Sequence, residues 1–237
     1  MTGILQTAKD NATFLLTCFL IVTALVCLAL AADKLVLKRP PRLSSTRSIA
    51  FISMFGAVAA VLMFLEFPLF FAPPFYKIDL SEIPVLICTF YLGPVAGVLC
   101  EFLKIVLKLL LKGTTTAFVG DFANFAVGCS MVLPASIVYH IRKSKKSAIL
   151  GLIIGTLIMT TFGSAFNAIY LLPKFSQLYG MPLDAIVAMG TDVNASITSV
   201  STLVLFAVVP FNVLKGIVVS LVTLLLYKRV ERLLRAG

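Results

Sequence analysis

Apolar runs of roughly 20 residues recur along the whole chain, and that is the length at which an α-helix crosses the hydrocarbon of a bilayer. Backbone N–H and C=O groups find no partner in lipid, so a crossing segment satisfies them within a helix or around a closed barrel. The runs lack the polar/apolar alternation of a lipid-facing barrel strand. The expected fold is therefore an all-α membrane protein. With 60% hydrophobic and 13% charged residues in 237, little of the chain is left over for a soluble domain.

Seven spans are predicted, at 12–32, 48–66, 81–93, 94–112, 118–140, 148–172 and 200–227. The third and fourth share one apolar stretch broken at Gly93-Pro94, where proline removes a helix donor and clashes with the preceding turn. Thirteen of the 20 basic residues fall in three clusters: Lys34, Lys38, Arg39, Arg42 and Arg47; Arg142, Lys143, Lys145 and Lys146; and Lys228, Arg229, Arg232 and Arg235. The positive-inside rule puts all three in the cytoplasm, which leaves the N-terminus outside and the C-terminus inside. That distribution accounts for the net charge of +10 without a nucleic-acid partner. Segments 67–80, 113–117 and 173–199 become outer loops. Residues 1–45 are read as an extra N-terminal transmembrane helix with a basic cytoplasmic linker, and 46–237 as one six-helix unit. A competing reading of the first run is a leader ending at Ala29-x-Ala31, but the run lacks a positive excess before it and has a basic cluster after it.

Polar side chains inside these runs are the functional signal. An ionised lysine at mid-bilayer costs about 3 kcal/mol on insertion scales, so Lys215 is expected to face a cavity, a partner or a ligand. Asn212 shares its helical face at i−3, and Pro210 bends the helix nearby. The alternative is that Lys215 snorkels or pairs with a carboxylate for structure alone. Asn124 and Asp121 open the fifth span, Asn167 closes the sixth, and Asp192, Asn194 and Thr198 precede the seventh, all in the outer half. Amides donate and accept, as a planar uncharged heteroaromatic ligand requires once water is removed, although each asparagine alone also fits helix-to-helix bonding. The loop FFAPPFYKIDLSEIP offers rings at Phe71, Phe75 and Tyr76 to cover such a ligand, or to sit in an interfacial belt. Asp79, Ser81 and Glu82 are placed to cap the next helix. Glu101, Lys104 and Lys108 share one face of the fourth span, which is not for lipid. Ser53-x-x-x-Ala57 and Gly56-x-x-x-Ala60 in the second span allow close approach of another helix, internal or from a separate subunit.

Other features point away from chemistry. The five cysteines lie in or beside apolar runs with no metal-ligand spacing, so they are read as small buried hydrophobes. The chain has no phosphate loop, no H-E-x-x-H and no G-x-S-x-G, and its one histidine, His140, is expected to be solvated beside the basic inner turn. Uphill transport would need ATP hydrolysis on another chain.

The stretches from Phe75 to Cys129, MTTFGSAFNAIYLLP at 159–173 and PFNVLKGIVVSLVTLLLYKR at 210–229 resemble the riboflavin-binding S component of energy-coupling factor (ECF) transporters. The resemblance covers about 46–235. It implies six helices, so the first span is an addition. It implies a subunit that captures riboflavin from outside, works with a transmembrane coupling subunit and two ATPases, and holds no cofactor beyond the transported vitamin. Flavin mononucleotide would fit if its phosphate reached solvent or the same lysine. By the same resemblance, Lys215 and Asn167, then Asn124 and Asn212, contact the ligand, the loop 72–76 with Ala72, Phe75 and Tyr76 closes over the ring, and Ser53, Gly56, Ala57 and Ala60 meet the coupling subunit. Two other readings stand beside it: an S component for a different vitamin, and a stand-alone secondary transporter in which Glu101 and Lys215 form an ion path.

Overall fold

The computed structural model describes residues 2–38, 45–114, 116 and 118–236. Arg39 and Arg42 of the first basic cluster, and Thr115 and Ala117 of the 113–117 loop, lie outside the described residues. The chain is a helical bundle: α1 (Thr2–Ala31), α2 (Thr46–Met63), α3 (Glu82–Leu92), α4 (Pro94–Lys112), α5 (Val119–Arg142), α6 (Lys145–Phe166), α7 (Leu172–Tyr179), α8 (Leu183–Thr191), α9 (Val200–Leu203) and α10 (Val209–Ala236). Two-residue strands β1 (Phe67–Pro68) and β2 (Lys77–Ile78) pair antiparallel and close the 67–78 loop on itself.

Among the described residues, five segments are long and apolar enough to cross a bilayer: Leu16–Val36, Thr46–Met63, Val119–Arg142, Lys145–Tyr179 and Val200–Val230. Helix α3 is apolar but short, and α4 carries Glu101, Lys104, Lys108 and Lys112. The two part at Gly93, whose φ of 125° only glycine adopts freely, and Pro94 takes the first helical position, where its missing N–H is no loss.

The bundle is packed by small residues. A Cβ at Gly151 would lie 2.7 Å from the Ala135 carbonyl oxygen, and one at Gly155 would lie 2.7 Å from that of Met131, so α5 and α6 meet backbone to backbone. In lipid, where burial of apolar surface drives little, such close approach supplies the dispersion energy of assembly. The main core runs through α3, α5, α6 and α10, with Phe90, Tyr139 and Tyr227 stacked or edge-on at one end. Helix α1 lays Cys18, Ile21, Val22, Leu25 and Ala29 onto a second cluster with Val98, Ile105, Phe122 and Cys129.

Three expectations change here. The 173–199 segment is not an extended loop: it holds most of α7 and all of α8. Pro173 lies in the first turn of α7, Gly180 at φ 61° ends it, and Leu172, Ile186 and Val187 bury together with Ile197, Leu203 and Ala207. His140 is not solvated but 8% exposed, its Nδ1–H donating to the Ser136 carbonyl at 2.9 Å, because α5 continues to Arg142 and keeps this position inside. Cys88, Cys100 and Cys129 are buried, whereas Cys27 faces outward.

Candidate functional site

A cavity of about 650 Å³ lies between α5, α7, α8, α10 and the 67–80 loop. Its volume falls in the range that encloses a small organic ligand. It sits at the end of the bundle where α5 and α10 begin and α6 finishes, opposite the Arg142–Lys146 turn.

The walls follow from local backbone. Helix α6 does not stop at Phe166 but widens into a π turn, Asn167–Leu171, and a second π turn, Val204–Val208, precedes α10. Pro210 has no N–H to give to the carbonyl four residues back, and the wider turn before it accommodates that gap. These turns place Asn167 and Phe211 on the cavity. One side is apolar, with Ala123, Val127, Leu171, Phe175, Ile186 and Met189, and the loop adds Pro74, Phe75 and Tyr76.

The floor is polar and buried. Asn212 is 4% exposed and its Nδ2 has no hydrogen-bond partner. Lys215, 6% exposed, is not a lone cation among amides: its Nζ donates to Asp79 Oδ2 at 3.1 Å and lies 3.1 Å from Glu82 Oε1. Behind it Lys104 reaches Glu82 Oε2 at 2.5 Å and Glu101 Oε2 at 2.6 Å, with Gly128 leaving room for the Glu101 carboxylate. Three carboxylates and two ammonium groups thus form one buried ion cluster where the membrane offers no solvation. The capping role expected of Asp79, Ser81 and Glu82 is only partly realised. Asp79 Oδ1 accepts from the Ser81 N–H at 2.9 Å, but Ser81 Oγ donates to Glu82 Oε2 at 3.3 Å instead of capping, because lysines from α4 and α10 draw the carboxylates inward.

Asn167 already has partners. Its Oδ1 accepts from the Tyr76 hydroxyl at 2.8 Å and its Nδ2 donates to the Gly163 carbonyl at 2.8 Å. Burial pushes the Tyr76 phenol up from its ordinary pKa, so it stays a neutral donor. Its ring lies 4.6 Å from Phe75 and 5.5 Å from Phe211, so one loop side chain bridges the cover and the walls. At the rim, Glu66 accepts from Lys112 at 2.8 Å and from Lys77 at 3.5 Å. Partial burial raises the Glu66 carboxyl, but the bond and charge of Lys112, with Lys77, outweigh it and leave the group below its ordinary value.

Of the residues singled out in the sequence, Lys215, Asn167, Asn124, Asn212, Phe75 and Tyr76 all line the cavity. Ala72 does not; it is 3% exposed and packs with Leu172 and Ile186 in the core of the cover. Nor do Glu101, Lys108, Asp192, Asn194 and Thr198; Lys108 instead pairs with Asp121 and donates to the Gly113 carbonyl at 3.0 Å. The small residues of α2 point two ways. Gly56 and Ala60 are buried, a Cβ at Gly56 meeting Leu103 of α4 at 2.8 Å, whereas Ser53 and Ala57 are exposed. Sequence reading passed over Thr116, Gly120 and Met189, which also line the cavity and carry no charge to mark them.

Residues 47–227 match the family model described as ECF transporter, substrate-specific component. The chain is 38% identical over 198 residues to the riboflavin transporter RibU of Staphylococcus aureus (strain TCH60), a match covering 84% of this chain and 97% of that one. It is 31% identical to the riboflavin transporter FmnP of Bacillus subtilis (strain 168), over 78% of this chain and 92% of that one. A solved structure reported as the S component of a bacterial ECF transporter superposes with a TM-score of 0.62 at 40% identity, covering 79% of this chain and 96% of its own.

Proposed function

Because the chain belongs to the family of ECF transporter substrate-specific components, we propose that its cavity captures riboflavin and that the chain delivers the vitamin with a coupling subunit and ATPases. It is a transport component rather than an enzyme. The observation that carries the reading is the Asn212 Nδ2, buried without a hydrogen-bond partner near Lys215 on the floor of an aromatic-lined cavity. A ligand acceptor that meets this N–H gains a hydrogen bond in a buried setting, about 1 kcal/mol or somewhat more. The isoalloxazine ring has carbonyl and ring-nitrogen groups for that floor and a flat face for Phe75, Tyr76 and Phe211. Lys215 is neutralised by Asp79 and Glu82, so a phosphate on the vitamin would lie at the rim beside Lys77 and not at the floor.

The test is riboflavin binding to detergent-purified protein, read from quenching of flavin fluorescence. Wild-type protein binds, and Asn212→Ala binds about tenfold more weakly while melting at the same temperature. Wild-type protein that leaves flavin fluorescence unchanged would sink the reading.

The chain is a multi-pass membrane protein. The Arg142–Lys146 turn and the end of α10 face the cytoplasm, so the cavity opens outward. Residues 1–45 form an appended anchor outside the matched region, and 46–237 form the vitamin-binding unit. Docking of the coupling subunit uses Ser53 and Ala57, since Gly56 is packed on Leu103 of α4 and Ala60 is buried. Accordingly Ala57→Leu leaves riboflavin affinity unchanged and removes co-purification with the coupling subunit, whereas Gly56→Leu lowers thermal stability through Leu103. Equal co-purification of Ala57→Leu and wild type would place the docking face elsewhere.

A further inference from the structure

We infer that Glu82, which does not line the cavity, is a positioning residue for ligand binding: it fixes the Lys215 ammonium at the cavity floor and is itself fixed by Lys104. The inference rests on the reading of the cavity as the riboflavin site. A lysine head sits on a flexible four-carbon stem, and a free one loses rotamer entropy each time it meets a ligand. Here Nζ is held 3.1 Å from Asp79 Oδ2 and 3.1 Å from Glu82 Oε1. An ammonium has three N–H donors, so with two facing carboxylates one remains for a ligand, in a direction set by the other two.

The two carboxylates differ in what carries them. Asp79 follows β2 at the end of the loop that covers the cavity, and it lines the cavity itself. Any movement of that loop to admit a ligand moves Asp79 with it. Glu82 begins α3, is 1% exposed, and is followed by Val85 and Leu86, both 0% exposed in the main core. Its second oxygen is taken by Lys104, 0% exposed, at 2.5 Å, and Lys104 is balanced by Glu101 at 2.6 Å. Glu82 therefore keeps Lys215 in place while the loop is displaced. Lys104 prevents Glu82 and Asp79 from competing, as two carboxylates, for a single cation.

The experiment measures riboflavin affinity by fluorescence quenching and thermal stability on the full chain in detergent. Glu82→Gln removes a charged partner of Lys215 and weakens binding about 10- to 100-fold. Glu82→Gln leaves Lys104 paired with Glu101 and Lys215 with Asp79, so the variant melts near wild type while its affinity falls; a merely structural Glu82 would lower affinity only together with stability. An affinity loss in Glu82→Gln that comes only with a matching loss of thermal stability would overturn the inference. In a Lys215→Met background Glu82→Gln causes no further loss of affinity, and a further loss of about tenfold would equally overturn it. Wild-type protein that fails to bind riboflavin removes the underlying reading, whereas wild-type binding with unchanged affinity in Glu82→Gln removes this inference alone.

Discussion

Lys215→Met is expected to weaken riboflavin binding by about 100-fold and to destabilise the protein by about 3 kcal/mol, two effects with separate causes. The binding loss follows from removing the charged donor at the cavity floor. The stability loss follows from leaving Asp79 and Glu82, 6% and 1% exposed, with one cation fewer in a medium that tolerates unpaired charge poorly. The two separate in Lys215→Met/Asp79→Asn, where the lost cation is matched by a lost anion. Thermal stability is expected to recover in that variant and riboflavin affinity is not. A Lys215→Met protein that binds like wild type would place the ligand away from this floor, whatever its melting temperature.

The second large effect is on assembly of the bundle. Gly151→Val and Gly155→Val each put a branched side chain where even a Cβ would lie 2.7 Å from a carbonyl oxygen of α5. That obstacle is helix backbone, which cannot swing aside as a flexible side chain can. Either substitution is expected to separate α5 from α6 and destabilise the protein by about 3 kcal/mol, at the upper end of ordinary overpacking. The measurement is thermal stability and monodispersity in detergent. Variants that melt like wild type would show that the two helices have room to part. Because Ala123, Asn124 and Val127 of α5 wall the cavity opposite Asn167, a protein that survives with its helices spread should also bind riboflavin less tightly.

What could be read beforehand was what the membrane dictates. Lipid obliges long apolar runs to become helices, so the positions of α2, α5, α6 and α10 follow from hydrophobic length, and the Gly93-Pro94 break follows from covalent structure. A lysine within such a run must have a reason, so Lys215 and its helical neighbour Asn212 were visible as one polar face. The partners of Lys215 were not visible, since Asp79 lies 136 positions away and spacing carries no information at that distance. Helices α7 and α8 are too short to announce themselves by apolar length, and Ala72, read as a ligand contact, turns out to help pack their core. On α2 the two small-residue pairs are offset by only three positions. Spacing alone could not say that Gly56 and Ala60 are buried while Ser53 and Ala57 stay outside.

The bond from the Tyr76 hydroxyl to Asn167 sets a condition on the rate of loading. With both ends of the Asn167 side chain already occupied, an arriving molecule competes with an intramolecular partner tethered on the same chain. Association should accordingly be gated by spontaneous release of that tether, at a speed shared by every flavin analogue. Discrimination among analogues would then appear in how long each one stays.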